Sequence, residues 1–111
     1  MPTVELWKCK MCPVKVPDFV HPHITMEDDE FIIEIYPRHL YLQQVITKAV
    51  SIQMVLRKLG FLKAQYILTT DESPNIDADG NWIDCACHGS SKLNMSFAEI
   101  LDSLKNKGFG N

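Results

Sequence analysis

The chain has 111 residues, of which 46% are apolar and 23% charged, and its formal net charge is −3. This length favours one domain around one core, so we expect residues 1–111 to form a single domain. The composition excludes a disordered or low-complexity chain, and the negative charge argues against a general nucleic-acid binder. No apolar run approaches the ~18 residues that span a bilayer. The first residues lack a signal peptide, so we expect a cytoplasmic protein that does not enter a membrane.

The first third of the chain predicts short strands separated by a long loop. Residues 3–7 and 14–16 alternate apolar and polar side chains, which is typical of strands. Residues 17–29 are rich in proline, histidine and acidic residues and predict a loop. Residues 30–36, Glu-Phe-Ile-Ile-Glu-Ile-Tyr, are mostly β-branched or aromatic and predict a strand.

A long helix is predicted next, over residues 38–59, where apolar side chains recur at helical spacing. Pro37 stands just before the first turn and Gly60 just after the last, where each residue type is favoured. Val50 and Met54 widen the apolar face beyond one stripe. We therefore expect helix 38–59 to be covered on more than one side and to contact a protein partner or a second copy of the chain.

The last third predicts two more strands and a shorter helix. Residues 61–70 and 81–85 have strand character and flank a turn-rich stretch at 71–80. Residues 96–99, Ser-Phe-Ala-Glu, match a capping box that opens a helix ending at Gly108. The predicted fold is α+β: a mainly antiparallel sheet of about five short strands, with one long and one shorter helix packed on it.

The four cysteines form two close pairs, Cys9 with Cys12 and Cys85 with Cys87. In a reducing compartment such pairs hold a metal more often than they form disulfides. Two thiolates a few residues apart can face one ion across a tight turn, and two such turns complete a tetrahedron. We predict that Cys9, Cys12, Cys85 and Cys87 form a zinc-knuckle-like site that binds one structural zinc ion and joins the two ends of the chain.

Three histidines offer alternative ligands. His88 lies three positions after Cys85, which is the commoner spacing for a ligand pair, and Gly89 follows it. His21 and His23 could instead complete a local site with the first cysteine pair. The sequence leaves these ligand sets open, and the alternative to any metal site is a group of free, buried thiols.

Residues 75–80, Asn-Ile-Asp-Ala-Asp-Gly, match the first half of a calcium-binding loop. The complete loop needs a glutamate at its twelfth position, where this chain has Ala86. Asp-Gly is also a common hairpin turn. We interpret residues 75–80 as a turn in preference to a calcium site.

The sequence contains no phosphate-binding loop, nucleophile elbow, metalloprotease motif or dinucleotide fingerprint. We therefore expect a small zinc-stabilised binding or accessory protein that acts through protein–protein contacts and is not itself an enzyme. The alternative is a metal-dependent or thiol-redox enzyme, or a subunit of one, that uses the Cys/His cluster. A third hypothesis is a zinc-ribbon protein that binds nucleic acid.

Overall fold

The computed structural model describes residues 6–12, 20–27, 30–70 and 72–88, which form one long helix and two small sheets. The elements are β1 (Lys8–Cys9), β2 (His23–Glu27), β3 (Glu30–Ile35), α1 (Leu42–Lys58), β4 (Gln65–Leu68), β5 (Asn81–Trp82) and a 3-10 turn over Ala86–His88. Within these ranges, no helix has both the length and the apolar character needed to cross a membrane.

The larger sheet has the strand order β2-β3-β4 and mixes both strand directions. β2 pairs antiparallel with β3, and Ile24 faces Ile33 across that pair. β3 and β4 are parallel because α1 carries the chain back to the starting edge of the sheet, as a crossover connection must. Helix α1 packs against this sheet through a face whose buried residues are Val45, Lys48, Ala49, Ser51, Ile52, Val55 and Leu56.

Helix α1 begins at Leu42, four residues later than the start predicted from the sequence. The preceding residues instead pair with the start of the chain. The Trp7 N–H donates to the Arg38 carbonyl at 2.6 Å, and the Leu40 N–H donates to the Trp7 carbonyl at 2.7 Å. The helix ends as predicted, because Gly60 follows it with a φ of +105°, a conformation that favours glycine.

The smaller sheet joins β1 to β5 in parallel and brings the two ends of the described chain together. Lys8 lies opposite Asn81, and Cys9 lies opposite Trp82. Trp82 is only 1% exposed and belongs to the core. This short pairing places Cys9 close to the chain segment that follows β5.

The predicted mainly antiparallel sheet with two helices is wrong. The strands form two small sheets with parallel and antiparallel pairs, and α1 is the only α-helix among the residues described. A strand, a helix and a second strand in succession favour parallel pairing of the two strands. The prediction of a mainly antiparallel sheet did not take this preference into account. The loop predicted over 17–29 is wrong at His23–Glu27, which forms β2, and residues 17–19 and 28–29 of that range lie outside the described residues. The predicted strand at 14–16 and helix at 96–108 lie outside the described residues, as do residues 3–5 of the first predicted strand.

Candidate metal centre

Three separate segments of the chain supply the side chains of a Cys/His cluster. Cys9 ends β1 opposite Trp82, and Cys85 follows only three residues after that tryptophan. His21 lies two residues before the start of β2. The backbone N–H of Ile24 in β2 donates to the Cys85 sulfur at 3.3 Å, which ties the third segment to the larger sheet.

The donor atoms of this cluster are close enough to share one ion. One ligand atom from each of Cys9, His21, Cys85 and Cys87 lies within 4.8 Å of the other three. The sulfur atoms of Cys9 and Cys87 are 3.5 Å apart. Zinc–sulfur bonds of about 2.3 Å in a tetrahedron separate two sulfurs by about 3.8 Å. These four residues could therefore hold a metal ion.

Cys12 brings a fifth donor to the same place. Its sulfur lies 3.8 Å from the Cys87 sulfur and 3.0 Å from Nε2 of His21. None of the four cysteines forms a disulfide bond. The group whose donor atoms all lie within 4.8 Å of one another therefore contains three of the four predicted cysteines and His21, and Cys12 contacts two of its members.

The ring of His21 is oriented as a metal ligand requires. Its Nδ1 donates to the Pro22 carbonyl oxygen at 2.5 Å, which leaves Nε2 to face the sulfur atoms. Histidines that bind metals commonly donate their second ring N–H to a carbonyl or a carboxylate, and this bond fixes the tautomer. His21 is 3% exposed, so the ring is held in place by the core as well.

The contacts among these groups shift their pKa values in opposite directions. Hydrogen bonds from the thiols of Cys12, Cys85 and Cys87 hold the pKa of Cys9 well below its ordinary value. Hydrogen bonds with Cys12, and then Cys85 and Cys9, raise the pKa of Cys87 well above its ordinary value. Burial lowers the pKa of His21, but hydrogen bonds to Cys12 and Cys9 outweigh burial and raise it. A metal ion binds the deprotonated forms of cysteine and histidine, so an ion that enters this cluster displaces protons.

The other alternative ligands are differently placed. His23 lies between two carboxylates, with Nδ1 at 2.7 Å from Glu34 and Nε2 at 2.8 Å from Asp84. Both ring nitrogens of His23 are therefore engaged by carboxylate oxygens, and His23 is not among the residues whose donor atoms cluster with the cysteines. The backbone of His88 ends the 3-10 turn, and its side chain lies outside the described part of the structure.

A small cavity lies beside the cluster. Its volume of about 10 Å³ lies at the lower limit for holding one water molecule, and its lining includes Cys9, His21, His39 and Trp82. Nδ1 of His39 lies 2.8 Å from the backbone nitrogen of Tyr36 and 3.1 Å from the carbonyl oxygen of the same residue. Burial lowers the pKa of His39 to about 3. Among the residues described, His39 Nε2 and Trp82 Nε1 have no hydrogen-bond partner.

The acidic loop has the geometry of a turn. The Asp77 carboxylate accepts the backbone N–H groups of Asp79 at 2.9 Å and Asn81 at 3.0 Å. These bonds, with the one from Asn81 foremost, lower the pKa of Asp77. Gly80 has a φ of +84°, which completes the turn into β5. The carboxylate oxygens of Asp77 therefore stabilise the entry into the strand that positions Cys85.

The sequence interpretation missed the ion pairs of His23. His23 and Glu34 face each other in the register of β2 and β3. Residues 23–27, His-Ile-Thr-Met-Glu, do alternate polar and apolar side chains, and this was the signal for a strand. Nothing in the local sequence indicated that Asp84 would reach the same ring.

No protein-family model, curated protein or solved structure matches the chain. The geometry of the cluster is therefore the ground for any functional conclusion.

Proposed function

We propose that this chain is a small binding protein whose fold is stabilised by one structural zinc ion. The observation that carries the proposal is the convergence of Cys9, His21, Cys85 and Cys87 within 4.8 Å. Thiolate and imidazole ligands together favour zinc, which binds them in a tetrahedron. The ligands come from three separate segments, so the ion would stabilise their association.

Burial of the cluster supports a structural role over an open, catalytic one. Cys9, His21 and Cys87 are each at most 5% exposed. Structural zinc sites are closed by four protein ligands, whereas catalytic sites keep one position for water. Free thiols persist in reducing compartments, so we place the protein in the cytoplasm.

The exposed side of α1 is the proposed contact with a protein partner or a second copy. Val50 is 38% exposed and Met54 is 43% exposed, although both are apolar. A solvent-facing pair of this kind suits a surface that another protein covers. Sedimentation of the wild-type chain and of a Val50→Lys/Met54→Lys variant tests self-association: a dimer that the variant abolishes supports a second copy, whereas a monomer in both favours a different protein.

Removal of the metal tests the structural role directly. We expect zinc-loaded protein to lose tens of per cent of its far-ultraviolet circular dichroism, or to unfold at a clearly lower temperature, when excess EDTA is added. Added zinc restores the signal, and added magnesium does not, because magnesium prefers oxygen ligands. An identical unfolding temperature with zinc, without zinc and with EDTA would exclude a structural ion.

A metal-dependent enzyme is the second candidate, and the cavity beside the cluster favours it. Nε2 of His39 and Nε1 of Trp82 are two buried nitrogen atoms without hydrogen-bond partners that lie near the proposed ion. Such groups could orient a water molecule or substrate oxygen bound to a metal. Cobalt substitution separates the two candidates. A four-coordinate spectrum that is insensitive to added azide supports the structural ion, and a spectrum that azide changes supports the enzyme.

A further inference from the structure

The cluster offers more donors than one zinc ion can use. Cys9, His21, Cys85 and Cys87 already supply the four ligands that a structural zinc ion takes, and the Cys12 sulfur lies a further 3.0 Å from Nε2 of His21 and 3.8 Å from the Cys87 sulfur. One donor must therefore stay unbound in any single state of the site. The burial and the contacts of each donor indicate which donor stays unbound.

Three of the five donor residues are buried, and we take these three as ligands in every state of the site. Cys9, His21 and Cys87 are buried, and the sulfur atoms of Cys9 and Cys87 are in contact at 3.5 Å. The other two, Cys12 and Cys85, are both half-buried. Cys12 contacts His21 and Cys87 from the turn after β1, and Cys85 lies near the same atoms on the segment after β5.

We infer that Cys12 and Cys85 are interchangeable fourth ligands, so that the zinc-loaded chain always carries one spare thiol next to the ion. This inference rests on the proposed zinc site. In the exchange, the entering thiol binds zinc and gives up its proton as the leaving sulfur takes one, so charge and oxidation state are unchanged. His21 keeps its place because its Nδ1–H bond to Pro22 fixes the ring.

The spare thiol gives the site a second chemical property. A half-buried thiol near a zinc-thiolate group can react with an electrophile while three other protein ligands and its exchange partner keep the ion in place. In this reaction the sulfur of Cys12 or Cys85 attacks the electrophilic carbon of an alkylating agent, and a sulfur–carbon bond forms as the bond from carbon to the leaving group breaks. The leaving group departs as an anion, the thiol proton passes to solvent, and zinc is not released. A site with four fixed cysteine ligands would have no such reactive group.

Alkylation of the wild-type zinc protein tests the inference without any substitution. With iodoacetamide, we expect one adduct per chain, divided between Cys12 and Cys85, with zinc retained and with Cys9 and Cys87 unmodified. No adduct until EDTA is added would overturn the inference and indicate four fixed cysteine ligands. An adduct confined to one of the two positions would overturn the exchange. A protein that never binds zinc would instead overturn the proposed function, which is a different result.

Matched serine variants test the same point through cobalt. The intensity of the thiolate-to-cobalt charge-transfer band counts the bound thiolates. Cys12→Ser and Cys85→Ser should each keep three thiolates and bind the ion within about tenfold of wild type, since either can replace the other. The double variant should keep two thiolates and bind at least about 100-fold more weakly. If either single variant already shows two thiolates, the remaining cysteine does not replace it and the inference is wrong.

Discussion

The sulfur atoms of Cys9 and Cys87 lie 3.5 Å apart although 78 positions separate these residues in the chain. β1 and β5 form only a two-residue parallel pair, with Cys9 opposite Trp82. So short a pairing contributes few hydrogen bonds, and strands this brief are marginal without further packing. A shared ion at the sulfur contact would supply the missing stabilisation.

The Cys87→Ser substitution tests this contact. Because Cys87 is buried and touches both Cys9 and Cys12, we expect the variant to lose bound zinc and several kcal/mol of stability, on the scale of a lost structural metal. Zinc content and thermal unfolding give the readout. Met11→Ser is the control, since Met11 is exposed and carries no good ligand. Equal zinc content in Cys87→Ser and wild type would contradict this role.

The ion pairs of His23 make a second prediction. Replacement of His23 by Leu removes the hydrogen-bonding partner of Glu34 and Asp84, and His23 itself is 2% exposed. We expect a loss of about 2 kcal/mol in the free energy of unfolding, on the scale of removing one partner of a buried hydrogen bond. Lys63→Ala, which removes the exposed pair with Glu30, should cost less than about 1 kcal/mol. Urea unfolding at neutral pH compares the two variants. Similar losses would show that the contacts of His23 with Glu34 and Asp84 contribute no more to stability than the exposed pair of Lys63 with Glu30.

The stability of the protein should fall in acid partly because His39 stays neutral when folded. Burial lowers the pKa of His39 from the ordinary 6.5 to about 3. Between these two pH values, His39 binds a proton in the unfolded chain but not in the folded chain. This contribution is complete above pH 6.5 and is lost as the pH falls towards 3. The slope approaches about 1.4 kcal/mol per pH unit.

A His39→Gln variant isolates that slope, because acid effects on the cysteine ligands are common to both proteins. The difference in unfolding free energy between wild type and variant should change with pH between 6.5 and 3 and be constant above it. A difference that does not vary with pH would mean that His39 titrates normally in the folded protein.

Gly60 offers a local test of the end of α1. Its φ of +105° is strained for any residue with a Cβ, yet a Cβ built there meets nothing within 4 Å. We expect Gly60→Ala to cost about 1 kcal/mol through backbone strain alone. Gln44→Ala, at an exposed position inside α1, should change stability by less than about 0.5 kcal/mol. An equal effect of both substitutions would show that the helix does not end at this turn.

Local sequence patterns predicted the elements better than their arrangement. The strand at Glu30–Ile35 and the helix that ends before Gly60 follow from β-branched residues, periodicity and a glycine with positive φ. Strand direction depends on which edges meet in space, and the helix between β3 and β4 decides it. The later start of α1 depends on backbone bonds between Trp7 and residues 38–40, which no local pattern shows.

The cluster could be predicted in part for a similar reason. Paired cysteines are visible in the sequence because both members of a pair lie on one turn. His21 was only one of three alternative histidines, and what distinguishes it is the bond of its Nδ1 to the Pro22 carbonyl. His23 is only two residues away, but it begins β2, and both of its ring nitrogens contact carboxylates. Burial and orientation separate these neighbours, and both are properties of the fold.

The most direct test is the metal content of untagged protein, purified without added metal, measured with a count of its reactive thiols. The zinc-site account predicts about one zinc ion per chain and no more than one reactive thiol, with all four reactive after chelation. Protein that contains no metal and shows four reactive thiols from the start would contradict it.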